Sequence, residues 1–217
     1  MLIVEIEGKE YELPESYDEL MVGKFIEFYK LLQSIKEETL ENRIRIIAFL
    51  MECNVEDIEK MDLNDIAELA NHIAWTELSP TIEENFKRTF ELVNTSNEVV
   101  RYSFSKNDRL KGEEVITMEH LLKDVKDNTL VFAEILAILL RPSIEKKNIE
   151  TGIIEYEQLE LEDNMDSITN RANFLKERLS IGDVYSGLYF FLNGEKTSSM
   201  NNTGTSSTLK IRKKVNS

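Results

Sequence analysis

The chain opens on strict alternation. In LIVEIEGKEYELP, Ile3, Glu5 and Glu7 fall to one side of an extended chain and Val4 and Ile6 to the other, a period of two that predicts a strand. Gly8-Lys9 turns it into a second short strand around Tyr11 and Leu13, so the pair reads as a hairpin with one covered face. Two strands alone are marginal in water, and a helix is expected to lie on them. The period then becomes helical. Val22, Phe25, Ile26 and Tyr29 share one face, preceded by Ser16 and Glu19 at the spacing of a capping box. Leu40, Ile44, Ile47 and Met51 predict a second helix. Asn54 as cap, with Ile58 and Met61, predicts a short third, and Asp62 followed by Ile66, Leu69, Ala70 and Ile73 a fourth, before Pro80 interrupts the pattern.

Beyond TIEENFKR, which reads as a helix or a linker, Phe90 and Leu92 and then Val100, Tyr102 and Phe104 alternate across an NTSN turn, predicting a second hairpin. ITMEHLLKDVKDN and LVFAEILAILLRP predict two helices, the second nearly all apolar and stopped by Pro142. The charged SIEKKNIETGIIEYEQLELEDNMD, with its Gly turn, is a loop or an edge hairpin. ITNRANFLKERL presents Ile168, Ala172 and Leu175 on one face, and IGDVYSGLYFFLNG is apolar enough to be buried. The order of hairpin then helices recurs loosely between the halves, as a duplication or as ordinary α+β punctuation. After Gly194 the pattern ends, and Ser, Thr, Asn and Gly dominate from Thr197 to Thr208, a composition expected to behave as a flexible coil. The expected fold is α+β and predominantly helical. Residues 1–79 form a hairpin-plus-helices subdomain, 80–195 a second, mostly helical subdomain packed on the first, and 196–217 a flexible basic tail.

Composition adds limits. With 41% hydrophobic residues over 217 positions the chain can bury a proper core. Its longest apolar run, Ile135 to Leu140, is far short of the roughly 20 residues that span a bilayer, and the N-terminus alternates instead of forming a signal-peptide core, so a soluble, unexported chain without a membrane partner is expected. Cys53 has no second cysteine to bridge, and its apolar helix predicts a buried thiol in a reducing compartment. The formal charge of −15 is uneven. Lys196, Lys210, Arg212, Lys213 and Lys214 stand without any acid in residues 196–217, which leaves residues 1–195 at −20. A body that negative repels a nucleic-acid backbone and favours basic partners.

Signatures of chemistry are missing. There is no phosphate-binding loop and no dinucleotide fingerprint; VYSGL around Ser186 lacks the first glycine of a nucleophile elbow and sits in a helical pattern. His72 and His120 lie in unrelated helices with no partner at metal-ligand spacing. Glu155, Glu157, Glu160, Glu162, Asp163 and Asp166 read as a solvated charged face, because DNMDSITN lacks the alternating oxygens and turn glycine of a calcium loop. No catalytic, metal or cofactor residue is assigned, and the reading points away from an enzyme.

The text GKEYELPESYDELMVGKFIEFYKL, followed by IIAFLMECNVEDIEKMDLNDIAELANHI, resembles small acidic morphogenesis proteins of tailed bacteriophages, the tail assembly chaperone-like group, over roughly residues 1–78. FAEILAILLRP with ERLSIGDVYSGLYFFLNG is similar to structural-block proteins of crAss-like phages. The resemblance implies a non-enzymatic protein of virion morphogenesis that binds tail, portal or ring components within a symmetric oligomeric assembly. It would act as an assembly factor in the host cytoplasm or as a component of the virion, in the tail, the head–tail region or the capsid interior. The alternatives are virion-delivered cargo, a host-directed adaptor or inhibitor and, last, an enzyme without a recognisable motif. The chain departs from the group in its length and its basic end. There Leu209, Ile211 and Val215 alternate with Lys210 and Arg212, next to Lys213 and Lys214, a pattern suited to adding a strand to a neighbour's sheet edge. Leu209, Lys210, Ile211, Arg212, Lys213, Lys214 and Val215 are therefore the candidate partner-binding residues; the competing reading is a solubilising end that adheres to the acidic body.

Overall fold

A computed structural model of the protein describes residues 1–78, 80–83, 86–94, 96–104, 110–123, 128–147, 154–158 and 165–193. The opening alternation forms β1 (Leu2–Ile6) and β2 (Lys9–Leu13), antiparallel, with Leu2 opposite Leu13 and Ile6 opposite Lys9. That register leaves two residues for the reversal, Glu7 and Gly8, both with positive φ (50° and 77°). This is a primed turn whose twist matches the strands, and it falls one residue before the expected Gly8-Lys9. Ile6 and Leu13 are buried on the covered face, while Ile3, Glu5, Glu10 and Glu12 point out.

The first helix does not start from a capping box. Ser16 precedes a short 3-10 turn over Tyr17–Glu19 and makes no side-chain cap. The Glu19 carboxylate accepts instead from the Glu15 N–H (2.9 Å) and the Met1 ammonium (2.6 Å). Leu20 then runs extended into the core, which delays the helix. α1 spans Val22–Ser34 and buries Phe28 as well as the predicted Val22, Phe25 and Ile26. In α2 (Leu40–Met51) the Thr39 side chain accepts from the Asn42 N–H, and the helix ends on Glu52 in the left-handed conformation (φ 54°). Asn54 and Asp62 stand at the N-caps of α3 (Val55–Glu59) and α4 (Leu63–His72) without side-chain cap bonds.

The described part of TIEENFKR, residues 81–83 and 86–88, is linker. Next come β3 (Thr89–Val93) and β4 (Val99–Phe104), the predicted second hairpin, then α5 (Gly112–Lys123) and α6 (Phe132–Leu139). Pro142 is not a helix stop. α6 ends at Leu139 and the chain passes directly into β5 (Leu140–Lys147), where Pro142 lies opposite Tyr102 of β4. The run ILAILL is apolar throughout, so neither period marks the switch; pairing of Leu140 with Phe104 does. The charged segment resolves as a hairpin of β5 with β6 (Ile154–Gln158), completing an antiparallel sheet in the order β3-β4-β5-β6.

α7 (Met165–Lys176) and α8 (Ile181–Asn193) close the body. α6 is buried at every position but Glu134 and packs on α7 through the face of Ile168, Ala172 and Leu175. Phe132 stacks on Phe25 of α1 at 6.2 Å. The Val22 N–H donates to Leu179 O (2.8 Å) and the Ile181 N–H to Leu20 O (2.7 Å), so early and late parts of the chain are stitched across one hydrophobic core. The architecture is α+β with an N-terminal hairpin followed by helices and a second sheet with its own helices.

A candidate docking groove beside the N-terminal hairpin

Lys24, in the first turn of α1, reaches the end of α2. Its Nζ donates to Leu50 O (2.8 Å) and to Glu52 Oε1 (2.6 Å), placing a cation where the α2 dipole is negative. The left-handed turn at Glu52 swings its carboxylate outward, 74% exposed. This bridge stands between two adjoining hollows, both lined by Met21, Lys24 and Glu52. One, of about 430 Å³, runs beside β2 past Glu10, Tyr11, Glu12 and Pro14, with Met1, Glu19, Leu20 and Met51. The other, of about 670 Å³, continues between α1, α2 and α7 past Gly23, Glu27, Ala48, Phe49, Cys53, Lys176 and Glu177. Gly23 permits the close approach of α7, since a Cβ there would lie 3.3 Å from Lys176 O.

The floor is apolar and the rim acidic. Leu20, Ala48 and Met51 are buried; Tyr11 and Phe49 are half-buried, and Met21 is 36% exposed. Methionine is unbranched and adapts to irregular apolar partners. Six carboxylates face Lys24, Lys176 and the N-terminal ammonium. Glu19 and Glu52 are engaged by Met1 and Lys24, and Glu177 by Arg178 at 3.6 Å. Glu10, Glu12 and Glu27 have no ion pair among the described residues, and Glu10 stands directly across from Glu5, a like-charge pair that costs stability. The Glu19 carboxylate, then that of Glu15, holds the N-terminal ammonium above its ordinary pKa. Burial pushes the Glu19 carboxyl up, but hydrogen bonds from that ammonium and the Glu15 N–H outweigh it and hold Glu19 below the usual range.

Of the residues weighed for chemistry in the sequence, Cys53 lines the groove and the other described ones fall elsewhere. Cys53 is half-buried, not fully so, at the groove wall; burial and then Asp57 push its thiol up, so it stays protonated at neutral pH. Ser186 is a buried residue of α8 whose Oγ accepts from the Glu83 N–H (2.8 Å). His72 lies 3.9 Å from the Glu15 carboxylate, and His120 is exposed on α5. Glu155 and Glu157 lie on β6, Asp166 on α7, and Glu160, Glu162 and Asp163 lie outside the described residues. Among the described residues no group of three His, Cys, Asp or Glu could hold a metal, and no helix is long and apolar enough to cross a membrane. Leu209, Lys210, Ile211, Arg212, Lys213, Lys214 and Val215 also lie outside the described residues. The sequence does not announce the groove: Lys24 and Glu52 are 28 positions apart, a pairing no period encodes. The exposed stripe Ile3, Glu5, Glu10 and Glu12 is its one legible signal. No family model, curated protein or solved structure matches the chain.

Proposed function

We propose that the chain is a non-enzymatic protein-binding module that takes a cationic, apolar segment of an assembly partner into the groove between β2, α1 and α2. One observation carries the reading: a Met- and aromatic-floored hollow with carboxylates on its rim that have no ion pair among the described residues. Burial of apolar side chains on such a floor drives association, and the acidic rim selects basic partners and speeds their encounter. The resemblance to phage morphogenesis proteins narrows the partners to tail, portal or ring components, met by an assembly factor or a virion component. The test reverses charge at Glu10, Glu12 and Glu27, whose side chains are exposed, and measures binding to purified tail and portal proteins by calorimetry. The triple Glu→Lys variant is expected to melt within a few degrees of the parent yet bind at least ~10-fold more weakly, because rim charges act on encounter and specificity. Undiminished binding would overturn the reading.

A further inference from the structure

The groove suits a segment of alternating apolar and cationic residues, and the chain carries one. We infer that, in the absence of a partner, the groove beside β2 is occupied by Leu209–Val215 of the same chain, docked as a strand along β2. This rests on the proposed protein-binding role of the groove and names its resident occupant.

Three observations carry it. The first is charge: Glu10 and Glu12 project from the outer face of β2 without an ion pair among the described residues, while Lys210, Arg212 and Lys214 fall on one side of an extended chain. The second is pattern. Leu209, Ile211 and Val215 fall on the other side, to meet Tyr11, Met21 and Met51 at the floor, with Lys213 alone breaking the alternation. β2 pairs with β1 along one edge only among the described residues, which leaves the other for strand addition. The third is reach. Ile181 is bonded to Leu20 at the groove, and the 13 residues of α8 carry the chain about 20 Å from it. The fifteen residues 194–208 can span at most about 50 Å, more than enough to return. A segment tethered within reach meets its site at an effective concentration near millimolar, so the intramolecular complex outcompetes a dilute partner.

The experiment uses the full chain, a full-length Leu209→Ser/Ile211→Ser variant that keeps every charge, and a fluorescein-labelled peptide of residues 207–217 as probe, read by anisotropy. The peptide is expected to bind the variant at least ~10-fold more tightly than the parent, because the groove has been vacated. Adding Glu10→Lys and Glu12→Lys to the variant should abolish that binding. Equal binding to parent and variant would show that the groove is not self-occupied, and binding that survives Glu10→Lys/Glu12→Lys would place the segment elsewhere; either overturns the inference. So would absence of binding to both. None of these results touches the protein-binding reading, which stands or falls on whether Glu10→Lys/Glu12→Lys/Glu27→Lys weakens tail and portal binding, measured in the same Leu209→Ser/Ile211→Ser background. Concentration-dependent dimerisation of the parent that the Leu209→Ser/Ile211→Ser change removes would mean exchange between copies and overturn the intramolecular form.

Discussion

Gly182 and Gly112 both occupy the first turn of a helix, yet only one is irreplaceable. A Cβ at Gly182 would lie 2.6 Å from Asp18 Cβ and 2.7 Å from Asp18 Cα, against backbone. That backbone is pinned by Tyr17, whose hydroxyl donates to Thr76 O (3.0 Å) and whose ring meets Trp75 edge-on at 4.7 Å. At Gly112 nothing lies within 4 Å. Gly182→Ala is therefore expected to destabilise by about 1–3 kcal/mol, as overpacking does, and Gly112→Ala to be neutral or to stabilise by up to about 1 kcal/mol. Urea melts of the two variants check this, and equal effects would contradict the packing of α8 on the 3-10 turn. Tyr17 also gives the fold a pH signature. Burial, then the charges of Tyr185 and Tyr29, pushes its phenol up to about 12. A folded pKa above the unfolded value of about 10 means that the neutral phenol's contribution is complete below pH 10 and lost as the pH climbs towards 12. The melting-temperature gap between the parent and Tyr17→Phe should accordingly shrink across that window, and a constant gap would show that Tyr17 is not shielded.

At the scale of elements, α5 is held in an unusual way. Its only fully buried residue is Glu114; Met118, Leu121 and Leu122 are half-buried, and Val115 and Ile116 are exposed. Glu114 forms a buried ion pair with Arg141 of β5 and accepts from the Lys111 N–H (2.6 Å). Removing one partner strands a charge in the core, so Arg141→Met should cost about 3–5 kcal/mol, whereas Glu114→Leu with Arg141→Met should cost clearly less than the sum of the single changes. A double-mutant cycle in urea measures this; additive costs would mean that the pair does not clasp α5 to the sheet. The same contact shows where reading by period fails. Periodicity found both hairpins and the faces of Ile44 and Ile47, of Ile66 and Leu69, and of Ile168, Ala172 and Leu175, because each such face meets a core directly. It missed Phe28, which is buried through its stack on Phe49 (5.9 Å) outside the predicted stripe. It also missed the Leu139–Leu140 switch, where helix and strand are equally apolar. The ion pairs Glu114–Arg141 and Lys24–Glu52 join residues that only the fold brings together. The groove was illegible for that reason, although its acidic hairpin face was not.

On the scale of the whole molecule, the hairpin and first helices depend on the second half of the chain. Ser16, Tyr17 and Leu20 lead into α1 along a path fixed by α8 and the turn before it: Leu20 O accepts from Ile181, Val22 donates to Leu179, and Met21 bridges to Ser180. Phe25 loses its stack with Phe132 if α6 is absent. A chain ending at residue 79 would thus expose the face of Val22 and Phe25 and leave the turn before α1 without its backbone partners, whereas one ending at residue 195 retains every described contact. Buried backbone groups need partners and apolar faces need cover, so residues 1–79 alone are expected to melt without a cooperative transition. Residues 1–195 should melt in a single transition within a few degrees of the full chain. Calorimetry of the three chains decides it. A sharp independent transition for residues 1–79 would mean that the stitching between Leu20–Val22 and Leu179–Ile181 adds little, and that the first half folds by itself. Two transitions for residues 1–195 would show that the shared core does not couple the halves.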